Sequence, residues 1–294
     1  MSTRKILFPT DLSAGAERVR ELALAFARKY GAEVLFFHAV LTHANELRQF
    51  GVLLSDFLGK LENEAERKLE RETSQLREQG MVVRYEVLQA PSAFEAIVER
   101  TITWEPGLIV MAAHGRTGMP RWFLGSVAEK VLRHAPCSVA TVRPDQQTRR
   151  AREGDDGFDR ILVPVDFSDN SGRALAQARE LVAENGSIVL HHVVHNPTLA
   201  GLASGEHLRL FSEEPTLPDR IRDQMKEWME GKPFDPQVTE ADDVAGSIFE
   251  MAEAKEADLI VVGARGQSDF EHFLTGSVAE KIVRASPIPV LTVR

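Results

Sequence analysis

The sequence predicts an α/β protein of two tandem doubly wound domains, each with a mostly parallel five-stranded sheet and helices on both faces. Two observations support this fold class. Residues 5–13 (KILFPTDLS) recur as residues 160–168 (RILVPVDFS), and twelve of the nineteen residues in 125–143 are identical in 276–294. Within each copy, short continuous apolar runs alternate with amphipathic stretches, a pattern typical of parallel strands buried on both faces beneath helices.

Length and composition favour the same division. A chain of 294 residues with 43% hydrophobic content can fill two cores of about 150 residues each. A polar segment that contains Pro144, Gly154 and Gly157 separates the two copies, and this composition is typical of a linker. We therefore place the first repeat at residues 1–145, the linker at 146–158 and the second repeat at 159–294.

In the first repeat, apolar residues at helical spacing predict amphipathic helices, and Gly31 ends the first of them. The β-branched apolar runs between the helices predict strands. The predicted order is strand 6–9, helix 14–29, strand 34–40, helix 53–79, strand 82–88, helix 93–103, strand 108–111, helix 127–134 and strand 138–142.

The second repeat shows the same alternation. Its predicted order is strand 161–165, helix 174–184, strand 188–194, helix 219–231, strand 238–240, helix 247–255, strand 259–262, helix 278–285 and strand 290–293. In sheets of this kind, ligands bind outside the carboxyl ends of the strands, where the strand order reverses. The loops after the first and fourth strands of each repeat are therefore the candidate sites.

Composition also bears on the class of partner. The net charge of −9 opposes a nucleic-acid partner, since such binders usually show a basic face. The apolar runs are far shorter than the roughly 20 residues of a membrane span, so no membrane partner is expected. The N-terminus lacks the pattern of a secretory signal, and the single cysteine, Cys137, fits a reducing compartment. We expect a cytoplasmic protein.

A glycine-rich loop follows the fourth strand of the second repeat. Gly263 and Gly266 are followed, after nine residues, by Gly276 and Ser277 at the start of a predicted helix. Glycine lets the backbone approach a phosphate, and the free N–H groups at a helix start attract an anion. A lone Gly-x-x-Gly is more often a simple turn. This loop, however, follows a predicted strand and is duplicated in the first repeat.

The first-repeat loop departs from the pattern at one position. Ala112 replaces the first glycine, whereas Gly115, Gly125 and Ser126 are retained. An added methyl group crowds a ligand or opposes a positive φ, but a Cβ is tolerated where φ is negative. The residues alone leave the occupancy of this repeat open.

These motifs resemble the universal stress protein family over nearly the whole chain, as two tandem copies. The matching segments are 164–168 (PVDFS), 192–194 (HVV), the G-x-x-G-x9-G-S loop at 263–277, 278–281 (VAEK) and 289–294 (PVLTVR). The resemblance implies a fold like that of the adenine nucleotide alpha-hydrolases and a stress-response regulatory role. It also implies a bound ATP, or ADP or AMP, with Mg²⁺ as an optional companion of the nucleotide.

The resemblance also implies roles for individual residues of the second repeat. Val165 and Val193 would contact adenine, Asp166 the nucleoside, and Gly263 the segment from ribose to phosphate. The phosphates would lie against Gly266, Gly276, Ser277 and Val278. Further residues of this candidate site are Pro164, Phe167, Ser168, Val262 and Arg265. The corresponding candidates of the first repeat are Thr10, Asp11, Ala39, Met111, Ala112, Gly115, Gly125, Ser126 and Val127.

Three functions are open at this point: a nucleotide-dependent regulator, an enzyme and an interaction scaffold. The chain has no Gly-x-x-x-x-Gly-Lys-Ser/Thr loop and no evident base for attacking water, so we expect at most slow ATP hydrolysis and assign no catalytic residue. Asp11 and Asp166 each precede a serine by two residues, a spacing that suits local turns and helix caps better than catalysis.

We assign no protein metal site. His191, His192 and His195 form the one histidine cluster of the sequence, but neighbouring strand residues point to opposite faces, whereas a zinc site needs three or four convergent ligands.

The resemblance also implies a mode of pairing, in which two single-domain members of the family form a dimer through their last strands. We therefore expect an intramolecular pseudo-dimer through strands 138–142 and 290–293. A further homodimer and the identity of a protein partner are open.

Overall fold

A computed structural model describes residues 4–13, 15–42, 52–114, 124–143, 146, 157–196, 209–229, 233–264 and 278–294, with backbone only at 52–54. The chain divides into two compact units, Met1–Ala151 and Arg152–Arg294. Each unit is a parallel sheet with helices in the connections between its strands, which confirms the predicted fold class.

The first unit follows the predicted order of elements closely. Its elements are β1 (Lys5–Pro9), α1 (Ala16–Tyr30), β2 (Glu33–Leu41), α2 (Val52–Glu78), β3 (Val83–Ala90), α3 (Ala93–Trp104), β4 (Leu108–Ala112), α4 (Ser126–His134) and β5 (Ser138–Val142). The strands pair in parallel in the order β3-β2-β1-β4-β5.

The second unit repeats this topology. Its elements are β6 (Phe158–Pro164), α5 (Asp169–Leu181), β7 (Val182–His195), α6 (Leu210–Glu213), α7 (Leu217–Trp228), β8 (Phe234–Ala241), α8 (Val244–Ala254), β9 (Leu259–Gly263), α9 (Val278–Ala285) and β10 (Val290–Val293). The strands pair in parallel in the order β10-β9-β6-β7-β8.

The central strands form the core of each unit. Leu7 and Ile109 are fully buried in the first unit, as are Ile161 and Ile260 in the second. Full burial of such a side chain stabilises a fold by roughly 1.5–3 kcal/mol. This burial on both faces explains the continuous apolar runs by which the strands were predicted. In the part of the chain that the structure describes, no helix combines the length and apolar character needed to cross a bilayer.

Helix α5 differs from its predicted bounds of 174–184. It begins at Asp169, because the Ser168 hydroxyl caps the helix by accepting a hydrogen bond from the Ser171 N–H at 3.3 Å. It ends at Leu181, because Val182 already pairs with Phe158 of β6. Pairing between strands therefore overrides the local helical pattern of residues 182–184.

Strand β8 is longer than the predicted 238–240 and includes Pro236. Proline lacks the N–H that a central strand needs, so the sequence suggests a shorter strand. Within its unit, β8 pairs only with β7, and an outer strand accommodates proline. The short helix α6 was not predicted from the sequence.

Candidate functional site

The strand order reverses at the same place in both units. β1 lies between β2 and β4, and β6 lies between β7 and β9. In the first unit, the connection from β1 leads to β2 on one side, whereas the connection from β4 leads to β5 on the other; β6 and β9 are arranged in the same way in the second unit. Connections that diverge in this manner open a crevice at the carboxyl ends of the two strands. The loops after β1 and β6 and the ends of β4 and β9 therefore meet at the expected position.

The loop after the first strand of each unit has the same unusual conformation. Asp166 accepts hydrogen bonds through Oδ1 from the Ser168 N–H at 3.1 Å and the Ser168 hydroxyl at 2.6 Å. In the first unit, Asp11 Oδ1 accepts from the Ser13 N–H at 3.0 Å. The residue between aspartate and serine has a positive φ, 62° at Phe167 in the second unit.

Leu12, with a φ of 59°, occupies the equivalent position in the first unit. A positive φ is uncommon outside glycine and costs free energy, and such strain concentrates at functional sites. Its recurrence in both copies makes this loop a candidate for function in each repeat.

A histidine from the neighbouring strand supports each loop. His38 Nδ1 lies 2.8 Å from the carbonyl oxygen of Thr10, and His192 Nδ1 lies 2.8 Å from that of Val165. A carbonyl oxygen only accepts, so Nδ1 carries the proton in both rings. Thr10 and Val165 also donate their N–H groups to β2 and β7 at 2.9 Å. The histidines thus fix the peptides of Thr10 and Val165, and the resemblance assigns the second of these to adenine.

Gly263, the last residue of β9, lies directly against the first turn of α5. A Cβ at this position would lie 2.7 Å from the backbone oxygen of Asn170 and 2.8 Å from the Asn170 Cβ. The φ of Gly263 is outside the left-handed region. Glycine is therefore needed here for space rather than for its conformational freedom.

In the first unit, a glycine precedes the helix that the glycine-rich loop leads into. Gly125 is the N-cap of α4 and donates its N–H to the Ala113 oxygen at 2.8 Å. It has no side chain to cap the helix, and Ser126 is exposed at the first turn. The N–H groups of this turn point toward the same end of the sheet as the Asp11 loop, as an anion site requires.

The surroundings of the two loops differ. In the first unit, the Lys68 ammonium of α2 donates to the Leu12 oxygen at 2.7 Å. In the second unit, the Phe167 ring contacts His192 and Trp228, with ring centroids at 5.1 and 5.4 Å. The same loop is therefore supported by a cation in one copy and by an aromatic cluster in the other.

The structure places the remaining predicted site residues as follows. Pro164 and Met111 lie at or near the ends of central strands. Val262 is buried beside Gly263, Ala39 and Val193 are half-buried on the second strands, and Val127 and Val278 lie in the first turns of α4 and α9. Five predicted residues lie outside the described part of the chain: Gly115, Arg265, Gly266, Gly276 and Ser277.

Sequence analysis missed a buried polar chain in the second unit. His191 is fully buried, and its Nε2 lies 2.8 Å from the Thr239 hydroxyl, which lies 2.9 Å from that of Ser247. Burial, with a smaller contribution from the neighbouring His192, lowers the pKa of His191 to about 4. Thr239 and Ser247 also line a pocket of about 400 Å³.

The alignment of the two repeats could have revealed this group of hydrogen-bonded polar side chains. The strand registers and helix starts equate His191, Thr239 and Ser247 with three apolar residues of the first unit, which are Phe37, Leu88 and Ala96. A joint change from apolar to polar at three distant positions indicates direct contact among them.

The histidine cluster of the second unit does not converge on one point. His191 bonds to Thr239, His192 bonds to the Val165 carbonyl, and His195 is exposed at the strand end. Among the residues that the structure describes, no group of three or more His, Cys, Asp or Glu side chains is arranged to hold a metal ion.

Comparison with known proteins supports the same fold in both halves. The model of the Universal stress protein family matches residues 2–143 and 157–294. A universal stress protein of Methanocaldococcus jannaschii is 31% identical over 150 residues, which cover 49% of this chain and 86% of that protein. One of Mycobacterium bovis is 27% identical over 196 residues, which cover 66% of this chain and 63% of that protein.

A solved structure extends this similarity over the full length. The crystal structure of a universal stress protein from Archaeoglobus fulgidus superimposes with a TM-score of 0.71 at 21% identity, covering 100% of this chain and 99% of that one. At this level of identity, the match establishes the shared fold.

Proposed function

The chain belongs to the universal stress protein family, and from that premise we propose that it is an adenine-nucleotide-binding regulatory protein. The nucleotide, ATP or its hydrolysis products ADP and AMP, binds at least in the second repeat. The site is the crevice at the carboxyl ends of β6 and β9, between the Asp166 loop and Gly263.

The observation that carries this proposal is the duplicated loop at the switch point. Its Asp-x-Ser turn, its positive φ and its histidine support recur in both units. A loop kept only to connect a strand to a helix has no need of a strained residue in two copies. The same crevice is where doubly wound sheets bind nucleotides.

The residues present fit such a ligand. The backbone at Val165 is held at both its N–H and its C=O, so it offers adenine a rigid edge. Gly263 lets the end of β9 pack directly against the first turn of α5, beside the Asp166 loop. By their place in the motif, Gly266, Gly276 and Ser277 would hold the phosphates through backbone and hydroxyl donors. Mg²⁺ would need at most one or two protein ligands beside the nucleotide, and it would supply positive charge that offsets the phosphates.

Calorimetric titration with ATP and GTP tests the proposal. We expect saturable binding of ATP and clearly weaker binding of GTP, because an edge of fixed backbone groups discriminates between purines. Absence of ATP binding at millimolar concentration would favour the alternative of an interaction scaffold. Rapid release of phosphate would favour an enzyme, whereas we expect at most slow hydrolysis.

His192 is expected to act on the nucleotide through Val165. Its hydrogen bond to the Val165 carbonyl contributes about 0.5–1.5 kcal/mol, so His192→Leu should weaken ATP binding in the second repeat up to about tenfold. The amide nitrogen of asparagine lies close to the position of Nδ1, so His192→Asn should restore most of the affinity. Titration calorimetry measures both variants.

The control for this prediction is His195→Leu, a change at the exposed end of the same strand. It should leave the affinity for ATP unchanged. Equal losses in the leucine and asparagine variants of His192 would show that the ring acts by packing rather than by its hydrogen bond.

A further inference from the structure

The pocket of about 400 Å³ in the second unit lies between the end of β8 and the first turns of α8. Strand β7 separates it from the crevice at β6 and β9, because the strands run in the order β9-β6-β7-β8. On β7, His191 bonds to Thr239 at the pocket, whereas its neighbour His192 bonds to the Val165 loop. Neighbouring strand residues point to opposite faces. The pocket is therefore distinct from the proposed nucleotide site.

Differences between the repeats create the pocket. Gly246 and Ser247 of α8 align with Glu95 and Ala96 of α3, since the two helices start at aligned positions. The absence of a side chain at position 246 leaves space beside the helix. The Asp243 carboxylate lies over this space, with Oδ2 2.8 Å from the point that a Cβ of residue 246 would occupy.

The mouth of the pocket is acidic. Among the described residues that line it, three are carboxylates and none is basic. Glu240 is engaged by two backbone N–H groups of α6. Asp243 and Glu250 are exposed, and Asp243, although it is the N-cap of α8, makes no side-chain bond to the helix. Two carboxylates are thus available to a cation.

The floor of the pocket has a hydrogen-bond donor in excess. Nδ1 of the fully buried His191 has no partner among the described residues. A buried N–H without a partner is rarer than a buried acceptor without one, so the proton is on Nε2, which donates to Thr239. The bond between the Thr239 and Ser247 hydroxyls uses one of their two protons.

The second hydroxyl proton of this pair has no acceptor within the described part of the chain. Both hydroxyls line the pocket, and Ser247 is only 8% exposed. A buried polar group that lacks a partner costs free energy. The spare proton therefore indicates a ligand with an oxygen acceptor, at the floor of a pocket with an acidic mouth.

Size and lining narrow the class of ligand. In the described structure, no three His, Cys, Asp or Glu side chains are arranged to hold a metal ion, and the volume is that of a small organic molecule. No aromatic ring is among the described lining residues, whereas a quaternary ammonium group favours aromatic faces. A primary ammonium group, which donates hydrogen bonds to carboxylates, suits this mouth better.

We propose that this pocket binds a small hydroxylated amine, of which an amino sugar is an example. Its ammonium group meets the carboxylates at the mouth, and one of its oxygens accepts the spare proton of the Thr239–Ser247 pair. This site explains why the second repeat has a buried polar group where the first repeat is apolar.

Saturation-transfer NMR titrations of the full chain with glucosamine and with glucose test the proposal. Glucosamine should bind saturably at millimolar concentration, and glucose, which lacks the ammonium group, should bind clearly more weakly. Ser247→Ala introduces the residue of the first repeat and should weaken glucosamine binding about three- to tenfold, because one hydrogen bond is lost. Gly246→Gln fills the pocket and should abolish binding.

A matched pair of surface variants tests the role of charge. Glu250→Gln should weaken glucosamine binding and reduce its dependence on salt, because one of the attracting charges is removed. Glu99→Gln, at the aligned exposed position of α3, should leave binding unchanged. Absence of glucosamine binding, equal affinity for glucose, or wild-type affinity in Gly246→Gln would each overturn the proposal.

Discussion

Acidification should destabilise the second repeat through His191 before its carboxylates are protonated. Burial lowers the pKa of this imidazole from its ordinary 6.5 to about 4. Below pH 6.5 the unfolded chain binds a proton that the folded chain excludes, so the folded state loses stability as the pH falls. From pH 7, the loss should be about 2 kcal/mol at pH 5 and about 3 kcal/mol at pH 4.

Urea unfolding at pH 7, 6 and 5, monitored by the fluorescence of Trp228, measures this loss. Trp228 reports on the second repeat alone once Trp104 and Trp122 are replaced by phenylalanine. No loss of stability between pH 7 and 5 would contradict the burial of a neutral His191.

The first repeat supplies the matched control for this prediction. His191→Phe/Thr239→Leu/Ser247→Ala transfers its apolar trio into the second repeat without leaving a buried hydroxyl unpaired. The variant should lack the loss between pH 6.5 and 5. An unchanged pH dependence in the triple variant would assign the effect to another group.

Carboxylates of the second repeat act at lower pH. Burial alone would raise the pKa of Asp235, but hydrogen bonds from Lys255 and Gln237 lower it below 3.8. Burial alone would also raise the pKa of Glu240. Hydrogen bonds from two backbone N–H groups of α6 outweigh this effect, so the pKa of Glu240 is lowered. The stability that these two carboxylates contribute to the fold is lost only as the pH falls below about 4.5 and passes through their lowered pKa values. A loss of stability above pH 5 therefore reports on His191.

Gly263→Ala should weaken ATP binding in the second repeat by about ten- to a hundredfold. Overpacking of this kind costs about 1–3 kcal/mol, and here it is relieved by moving the end of β9 away from α5, which distorts the crevice. Titration calorimetry measures the affinity, and urea unfolding measures the accompanying loss of stability.

Two further variants test the cause of this effect. Asn170→Gly, combined with Gly263→Ala, should recover part of the affinity, because it removes the Cβ of position 170 and leaves the backbone contact. Ala112→Gly serves as the control and should leave ATP binding in the second repeat unchanged, because position 112 ends a strand of the first repeat. Wild-type affinity in Gly263→Ala alone would show that the contact has no bearing on the ligand.

The fold was predictable because its signals are local and duplicated. Continuous apolar runs such as 259–262 identify buried parallel strands in any context, and the second copy confirms each assignment. The bounds of α5 and β8 were wrong where long-range pairing decided them. Val182 joins Phe158 of another strand, and Pro236 is accommodated because β8 is an outer strand.

The candidate site was predictable only in part. Position and motif pointed to Asp166 and Gly263. The requirement for glycine at position 263, however, comes from its close packing against Asn170, which lies 93 residues earlier in the chain. The hydrogen bond of His192 to Val165 was equally invisible, although its alignment with His38 was evident from the sequence. Contacts between distant segments depend on the assembled sheet, which no local pattern records.

The most direct test of the central claim is the nucleotide content of the purified protein, measured by denaturing it and chromatographing the released small molecules. Gly266→Ala/Gly276→Ala serves as the control, because it alters only the loop of the second repeat. We expect adenine nucleotide in the wild type and one equivalent fewer in the control. A wild type that releases none, and that binds none when ATP and Mg²⁺ are added, would contradict the account.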